Sequence, residues 1–216
     1  MKYLFTVLFL FASSLTATEY TYTENNNSGN NIALGYPVPL PIDSLTPIDG
    51  FRSYNSLNLR HKQLTEQANW LTALNLGTTF NSRTILGYQI SDADNTTVSG
   101  AIEGSALING GIHAREWQSP EAVTGYMEML FAEQNNQHIE QYIIENLNLV
   151  LIPVLNIDGL LQTQRYPSTV THSANSPRDG RMRRKNMRSV DELLSTTNDN
   201  LKGIDLNRNN NPFWAT

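Results

Sequence analysis

The chain has 216 residues, of which 15 are Lys or Arg and 20 are Asp or Glu, so its formal net charge is −5. A chain of this length can bury a sizeable core, and its mild acidity argues against a dedicated nucleic-acid binder. Cysteine is absent, which excludes disulfide bonds, a cysteine nucleophile, iron–sulfur clusters and thiolate zinc sites. A bound metal ion must therefore be held by histidine, carboxylate or water.

Residues 1–17 are predicted to be a secretory signal peptide. Met1 and Lys2 form a short positive start, the run Tyr3–Ala12 is almost entirely apolar, and small or polar residues follow up to Ala17. The apolar run is too short to span a bilayer comfortably, and an uncleaved anchor is the alternative. We expect cleavage after Ala17 and a secreted or periplasmic protein with no stable membrane insertion.

Residues 18–50 are polar and then proline-rich, which predicts an extended lead-in rather than a packed element. The folded domain is expected to begin near Phe51. Apolar residues near helical spacing predict one or two helices between Ser53 and Leu76. A strand is predicted for Thr84–Ile90, and a second, short and buried strand for Ala106–Asn109.

The second half of the chain continues this alternation. Ser119, Pro120 and Glu121 predict a helix start, with serine as the cap and proline at the first helical position. The nearly continuous apolar run Leu147–Leu155 predicts a central strand buried on both faces, whereas residues 162–202 are polar and irregular. Alternating strands and helices indicate the α/β class.

The segment between the second predicted strand and the following helix contains the first candidate site. It reads NGGIHAREW, from Asn109 to Trp117, and places His113 and Glu116 three residues apart. One turn of backbone can direct both side chains to a common point, and imidazole nitrogen and carboxylate oxygen are good zinc donors. Ligands of open α/β sheets bind at such strand ends, although a lone His-x-x-Glu pair is more often a surface hydrogen bond.

Three blocks in a fixed order resemble the zinc metallocarboxypeptidases of the carboxypeptidase A/B family: GGIHAREWQSP, RRKNMRS and GIDLNRN. The resemblance runs from about Phe51 to Thr216 and includes the run LNLVLIPVLNIDG. It implies a three-layer α/β/α sandwich with a mixed, largely parallel central sheet, incomplete here. It also implies removal of C-terminal residues from peptides by metal-activated water, with one Zn²⁺ ion as cofactor. The implied partner is a peptide or protein substrate with a free C-terminus, not nucleic acid.

The resemblance assigns a role to each matching residue. His113 and Glu116 match two zinc ligands, and Arg184 matches the arginine that stabilises the oxyanion. The other matches are the substrate-binding residues Arg115, Asn207 and Arg208, and Asp205, which is expected to receive the free ring N–H of His113. The alternatives are a solvent salt bridge for Arg115 and a turn-capping role for Asp205.

Two departures from the family pattern affect these assignments. Arg183 stands where the family usually has tryptophan, and Met187 is an extra residue, so Arg183 competes with Arg184 for the oxyanion role. The family's third zinc ligand and its general base lie beyond the last block, and so beyond residue 216. We therefore expect a C-terminally truncated fragment, residues 51–216 being the N-terminal part of the catalytic domain, which is inactive and binds zinc poorly.

Three other functions remain open. A related zinc amidohydrolase or deacylase would share the His-x-x-Glu and Asn-Arg elements. A non-catalytic peptide-binding module would keep the carboxylate-binding residues without the base. A polyanion binder would use the basic cluster Arg178–Arg188, although a charge run is usually a solvated face and this one contains no aromatic residue.

Overall fold

The computed structural model describes residues 42–48, 50–92, 94–133, 139–165, 180–190 and 201–210. The predicted signal peptide and most of the lead-in lie outside these residues. Within the described part, none of the helices combines the length and apolar character needed to cross a bilayer. The elements in chain order are α1 (Tyr54–Gln67), β1 (Leu71–Thr78), β2 (Thr84–Ile90), β3 (Gly104–Asn109), α2 (Gln118–Glu133), α3 (Ile139–Asn146), β4 (Leu147–Ile152), α4 (Ile157–Arg165) and a 3-10 turn (Leu206–Arg208).

The four strands form one mixed sheet in the order β1-β2-β4-β3. Strand β2 pairs antiparallel with both β1 and β4, and β3 pairs parallel with β4. The α/β class and the mixed sheet are confirmed. The largely parallel character is not seen among the described strands, because only one of these three pairings is parallel.

The region from Ser53 to Leu76 holds one of the predicted helices, but residues from Leu71 onward form a strand that was not predicted. Ser53 caps α1 by accepting the N–H of Ser56, and Ala68 ends the helix in extended conformation. The chain then enters β1, whose residues pair with β2 from Leu71 opposite Ile90 onward. This long-range pairing overrides the helical spacing of the apolar residues.

Strand β3 corrects a second prediction, because all six of its residues are exposed rather than buried. It is the edge of the described sheet and has β4 on one side. Strand β4 takes the expected central position, with Leu149, Leu151 and Ile152 buried. Pro153 follows its last residue, where a missing N–H costs no ladder hydrogen bond.

The structure also corrects the predicted cap of α2 and the predicted irregular segment that begins at Gln162. Helix α2 begins at Gln118, so Ser119 lies inside the first turn, and its hydroxyl accepts the N–H of Gly111 at 2.9 Å instead of capping the helix. Helix α4 extends to Arg165, so Gln162 and the next three residues are helical rather than irregular. They are held there because α4 packs its apolar residues into the core.

Two buried apolar clusters hold the layers together. The larger packs α1 and α2 against the sheet around Leu64, Met127, Leu130 and Leu151, all of which are fully buried. The smaller joins the start of the described chain to α4, and it includes Ile48, Leu57, Trp117, Val154, Ile157, Leu160 and Leu161. Ile48 also bridges Phe51, so packing begins within the predicted lead-in.

Candidate metal centre

The candidate site is built on the loop that leaves β3 at Gly110. The backbone of this loop is pinned to the turn after β4, because Gly110 O accepts the N–H of Leu155 at 3.0 Å and Gly111 O accepts that of Asn156 at 2.9 Å. Gly111 has a φ of +58°, and a Cβ at Gly110 would lie 2.6 Å from the carbonyl oxygen of Pro153. Glycine is required at both positions, for the turn and for the close approach.

His113 and Glu116 are in direct contact in this loop. Nδ1 of His113 lies 2.8 Å from Oε1 and 2.9 Å from Oε2 of Glu116. The His113 side chain is only 6% exposed, whereas that of Glu116 is 44% exposed. One imidazole nitrogen and two carboxylate oxygens therefore converge at a point that solvent reaches from the glutamate side.

Asp205 lies on the opposite side of the His113 ring. Its Oδ1 is 3.3 Å from Nε2 of His113, an ion-pair distance without hydrogen-bond alignment. The same carboxylate accepts the N–H of Asn207, so Asp205 also caps the 3-10 turn. The turn-capping interpretation of Asp205 therefore corresponds to an observed hydrogen bond, whereas acceptance of the His113 ring N–H stays a prediction supported by proximity.

Arg184 joins the two carboxylates of the site. Its Nε donates to Oδ2 of Asp205 at 2.8 Å, and its Nη1 lies 3.8 Å from Oε1 of Glu116. Burial raises the pKa of the Asp205 carboxyl, but the hydrogen bonds from Arg184 and the Asn207 N–H outweigh burial and hold that pKa below its usual value. Asp205 is therefore an anion at neutral pH.

Arg183 has a different environment from Arg184. It is 2% exposed, and its Nη2 donates to the carbonyl oxygens of Asn186, at 2.6 Å, and Lys202. These contacts place its guanidinium in the packing between residues 180–190 and 201–210. Of the two candidate arginines, the structure brings Arg184 to His113 and Glu116.

Asn186 fixes the position of Asp205. Its backbone N–H donates to Ile204 O at 3.0 Å, and its side-chain oxygen accepts the N–H of Ile204 at 2.8 Å and that of Arg188 at 3.2 Å. Gly203, with a φ of +82°, approaches the Asn186 carbonyl so closely that no side chain fits there. Asp205 follows Ile204 directly and is thereby placed beside His113.

The three predicted substrate-binding residues are close in sequence to the residues of this group. Asn207 and Arg208 are exposed in the 3-10 turn, and Nη1 of Arg208 donates to the carbonyl oxygen of Asn207 at 2.8 Å. Asn207 reaches the group through its backbone N–H on Asp205. Arg115 is partly exposed and lies between the two zinc-ligand candidates in the sequence.

Arg181 is a site-supporting residue that the sequence analysis did not single out. Its Nη1 donates to Arg115 O at 2.7 Å, and its guanidinium lies 3.8 Å from the ring centroid of Trp117. The Trp117 indole in turn donates to the Thr163 hydroxyl at 2.7 Å. Arg181 therefore braces the loop that carries His113 and Glu116. No local signal marks this contact, since its partners are more than 60 positions away in the chain.

The basic cluster is not a solvated face in its described part. Arg181 stacks on Trp117, Arg183 is buried, Arg184 pairs with Asp205, and Lys185 donates to Leu201 O at 3.0 Å. A polyanion-binding surface needs guanidinium and ammonium groups that face solvent. These contacts leave little of the cluster for that purpose.

A cleft of about 380 Å³ adjoins the 3-10 turn. Its walls come from the β1–β2 turn, the β4–α4 turn and the segments around Met187 and Asn210. His113, Glu116, Arg184 and Asp205 are not among the described residues that line it. Asp158 at the cleft holds the β1–β2 turn, accepting from the Thr79 hydroxyl at 2.9 Å and from Arg83 at 2.7 Å.

The donor set fits a zinc ion. Nitrogen and oxygen donors are the types that zinc accepts, and three of them already converge between His113 and Glu116. Asp205 faces the other ring nitrogen, as carboxylates that orient a metal-bound histidine do. Among the described residues, these two side chains are the candidate zinc donors at this point, and catalytic zinc sites use three protein ligands.

Comparison with solved structures supports the fold. A crystal structure of thrombin-activatable fibrinolysis inhibitor matches with a TM-score of 0.57 and 19% identity over 82% of this chain and 38% of that one. Carboxypeptidase A from Helicoverpa armigera matches with a TM-score of 0.52 and 20% identity over 88% of this chain and 38% of that one. At these identities the likeness concerns the fold alone.

Curated relatives match shorter segments. Carboxypeptidase B of Astacus astacus is 33% identical over 53% of this chain and 31% of its own length. Zinc carboxypeptidase A 1 of Drosophila melanogaster is 31% identical over 43% of this chain and 21% of its own length. The match thus spans less than a third of the length of each of these relatives. The family model described as zinc carboxypeptidase matches residues 59–216, and the chain belongs to the zinc carboxypeptidase family.

Proposed function

We propose that this chain is part of an exported zinc-dependent carboxypeptidase that removes residues from the C-terminus of peptides. The observation that carries the proposal is the convergence of His113 Nδ1 and both Glu116 oxygens, with the Arg184 guanidinium beside them. Family membership supports a metallocarboxypeptidase. The contacts at the site support the assignment of individual residues.

In this proposal His113 and Glu116 hold the zinc ion, with a third ligand from outside the described residues. When bound, zinc supplies Lewis-acid polarisation of the scissile carbonyl and lowers the pKa of water. In this proposal Asp205 would accept the Nε2 proton of His113 when the site is occupied, which leaves Nδ1 free for the metal. Its lowered pKa keeps it anionic for this purpose at neutral pH.

Arg184 is proposed to stabilise the oxyanion that forms when the carbonyl is attacked. A guanidinium that is already fixed by Asp205 needs no reorganisation as this charge develops. Its distance of 3.8 Å from Glu116 places it at the edge of the metal-binding group. The burial of Arg183 and its contacts with backbone carbonyls favour Arg184 over Arg183 for this role.

Asn207 and Arg208 are proposed to bind the free carboxylate of the substrate, and Arg115 to contact the residues that precede it. A planar guanidinium binds a carboxylate through two parallel hydrogen bonds, and a neighbouring amide adds a third. The exposure of Arg208 and Asn207 supports this role, because a substrate can reach both side chains.

Two other functions give different results in the same assays. A deacylase would hydrolyse substrates that lack a C-terminal carboxylate, and a peptide-binding module would bind free-acid peptides without turnover. One relative is an inactive metallocarboxypeptidase, ECM14 of Saccharomyces cerevisiae, which is 34% identical over 41% of this chain. Binding without turnover must therefore be tested as well.

The first prediction concerns substrate choice and uses the full gene product. Peptides with a free C-terminus are expected to be cleaved, whereas the same peptides with a C-terminal amide are expected to be poor substrates. Arg208→Ala should raise KM for free-acid peptides strongly, because losing one partner of a paired carboxylate costs about 2–5 kcal/mol. The measurement is kcat and KM for the matched peptide pair, with zinc content determined in parallel.

Arg188→Ala is the matched control, since Arg188 is also exposed and lies four positions after Arg184 in the basic cluster. It should leave KM unchanged, and both variants should retain zinc. Equal cleavage of free-acid and amidated peptides would contradict the carboxypeptidase assignment and favour the deacylase.

Export is part of the same proposal. The pattern of residues 1–17 supports it, and these residues lie outside the described part of the chain. N-terminal sequencing of the protein recovered from the medium or periplasm is expected to begin at Thr18. Recovery of the uncleaved chain from the membrane fraction would favour the anchor instead.

A further inference from the structure

Three carboxylates meet on the connection between β2 and β3, away from the candidate zinc site. Asp92, Asp94 and Glu103 each place a carboxylate oxygen so that these atoms all lie within 4.8 Å of one another. Asp94 is exposed, and acidic groups at a surface are common without a bound ion. A metal site therefore requires a second observation.

Glu103 supplies that observation. It is 8% exposed, and both of its carboxylate oxygens are buried without a hydrogen-bond partner. Burial of the carboxyl, followed by the charges of Asp92 and Asp94, raises the pKa of Glu103. A weak side-chain contact with Ser91, which falls outside hydrogen-bond geometry, lowers that pKa by less. A buried carboxylate without a partner is costly in free energy. A cation at this point would remove that cost.

The sequence spacing of these residues matches that of a calcium-binding loop. In the twelve-residue loop of EF-hands, positions 1, 3 and 5 carry oxygen ligands and position 12 is a bidentate glutamate. Here Asp92, Asp94, Thr96 and Glu103 occupy those positions. Thr97 stands at the sixth position, where EF-hands have glycine, and strands rather than helices flank the loop. The similarity is thus one of ligand spacing.

The loop backbone is already folded around the carboxylates. Oδ1 of Asp94 accepts the N–H and the hydroxyl of Thr96, at 2.7 and 2.8 Å, and Asp92 Oδ1 accepts the N–H of Asp94 at 3.0 Å. The backbone N–H of Glu103 donates to Asn95 O at 3.1 Å, which brings the end of the loop back to its beginning.

We propose that the β2–β3 connection binds one calcium ion through the carboxylates of Asp92, Asp94 and Glu103. Calcium–oxygen distances are about 2.3–2.6 Å, so two ligand oxygens on opposite sides of an ion are about 4.6–5.2 Å apart. The three carboxylate oxygens lie within 4.8 Å of one another, so one such ion can contact all of them. Oxygen-only donors on an irregular loop suit calcium, because magnesium requires a near-ideal octahedron at shorter distances.

Calcium would tie the end of β2 to the start of β3, whose far end carries the loop with His113 and Glu116. The site is structural in this proposal and touches none of the candidate zinc ligands. It does not depend on the proposed peptidase activity, so either can fail alone.

The test is a calcium titration of the full chain after chelator treatment and dialysis, at constant ionic strength. Up to about 10 mM Ca²⁺ is needed to cover the weak affinities of extracellular modules. Calorimetry should give a stoichiometry of one, and Tm should rise by about 3–6 °C at tenfold excess over Kd. An equal response to Mg²⁺, or no Ca²⁺ binding by calorimetry, would overturn the proposal.

Glu103→Gln should weaken Ca²⁺ binding at least tenfold and raise Tm without metal, because it removes a buried, unpartnered charge. Asp94→Asn should weaken binding as well, and it keeps the test available if Glu103→Gln does not fold. Glu66→Gln, an exposed change on α1, and Glu116→Gln at the zinc site should both bind Ca²⁺ like the wild type. Unchanged Ca²⁺ affinity in Glu103→Gln and Asp94→Asn would show that these carboxylates are not the ligands.

Discussion

At the scale of single residues, the site depends on the position of Asp205 between three groups. Its carboxylate accepts from Arg184 and from the Asn207 N–H, and it lies 3.3 Å from His113. One anion thus lies beside a candidate metal ligand, binds a guanidinium and caps a turn. Because these contacts share one carboxylate, we expect a substitution of Asp205 both to weaken zinc binding and to release the Arg184 guanidinium from its position.

The second prediction separates the two neighbouring arginines. Arg184→Ala should lower kcat by roughly 100- to 1,000-fold, the usual cost of losing one oxyanion donor, with little change in Tm. Arg183→Ala should lower Tm instead, because it removes a fully buried side chain that bonds the Asn186 carbonyl. The measurements are steady-state kinetics and thermal unfolding of both variants.

Lys185→Ala is the control for these variants, because Lys185 lies next to Arg184 and donates only to the Leu201 carbonyl among its described contacts. It should change neither kcat nor Tm by much. A large loss of kcat in a stably folded Arg183→Ala protein would reverse the assignment of the two arginines.

The third prediction concerns His61, which is buried between α1 and α2. The Thr124 hydroxyl donates to Pro120 O at 2.8 Å, so its oxygen accepts the Nε2 proton of His61, also at 2.8 Å. Burial, followed by the charge of Arg52, lowers the pKa of His61 to about 4. The unfolded chain binds this proton from about pH 6.5 downward.

Because the folded pKa is the lower one, the stabilisation is fully present above about pH 6.5 and is lost as the pH falls toward 4. The loss is on the order of 3 kcal/mol. Urea unfolding at several pH values should show it for the wild type and not for His61→Gln, which keeps a neutral donor for Thr124. Parallel pH profiles for the two proteins would show that His61 does not titrate in this way.

At the scale of elements, the site is assembled from segments that are far apart in sequence. The Gly110–Gly111 backbone binds the turn after β4, and Ala114 donates its N–H to Arg184 O at 3.1 Å. Asn186 accepts the N–H of Ile204, and this hydrogen bond links residues 180–190 to the segment that contains Asp205. The zinc-ligand loop is therefore held from two sides by backbone hydrogen bonds, which side-chain substitutions elsewhere leave intact.

The fourth prediction tests the Asn186 connection. Asn186→Ala removes the acceptor of two backbone N–H groups, so it should destabilise the protein by about 1–3 kcal/mol. It should also weaken zinc binding roughly 10- to 100-fold, because Asp205 is no longer held beside His113. Asn55→Ala, which removes a single exposed hydrogen bond to Ile42 O, is the control and should leave zinc affinity unchanged. Loss of stability without loss of zinc affinity would contradict the connection.

Local patterns predicted some elements well and failed where partners are distant. Strand β2 has the predicted bounds, and β4 has the predicted central place, because both are apolar runs ended by polar or proline residues. Strand β1 was missed because Leu64, Ala68 and Leu71 continue a helical spacing past the end of α1. Residues 71–78 form a strand because they pair with β2, and this pairing cannot be predicted from the local sequence.

The residues of the candidate site also divide into those that local motifs predicted and those that only distant contacts reveal. Motif order brought His113, Glu116, Arg184 and Asp205 under consideration, and the structure places these four side chains together. The supporting role of Arg181 was not predicted, because its contact Trp117 lies 64 positions earlier in the chain. The exposure of β3 also escaped notice, since burial of a strand depends on which elements cover the sheet.

At the scale of the whole molecule, the edge of the described sheet coincides with its exposed apolar surface. Leu107 is 62% and Ile108 39% exposed on β3, which pairs with β4 on one side. Unpaired strand edges with apolar side chains are templates for association with another chain. The β2–β3 connection adds Ile102, which is 89% exposed.

The last prediction is that the 216-residue chain self-associates through β3. Leu107→Lys should raise the concentration at which light scattering first detects association, because a charge on an edge strand opposes pairing. It should leave Tm nearly unchanged, since Leu107 is already exposed. Leu59→Lys on α1, where Leu59 is 46% exposed, is the control for the added charge. Each substitution moves the net charge from −5 toward zero, which by itself promotes association. A solubility gain specific to Leu107→Lys would therefore come from the strand edge, whereas equal behaviour of the two variants would show that β3 is not the contact.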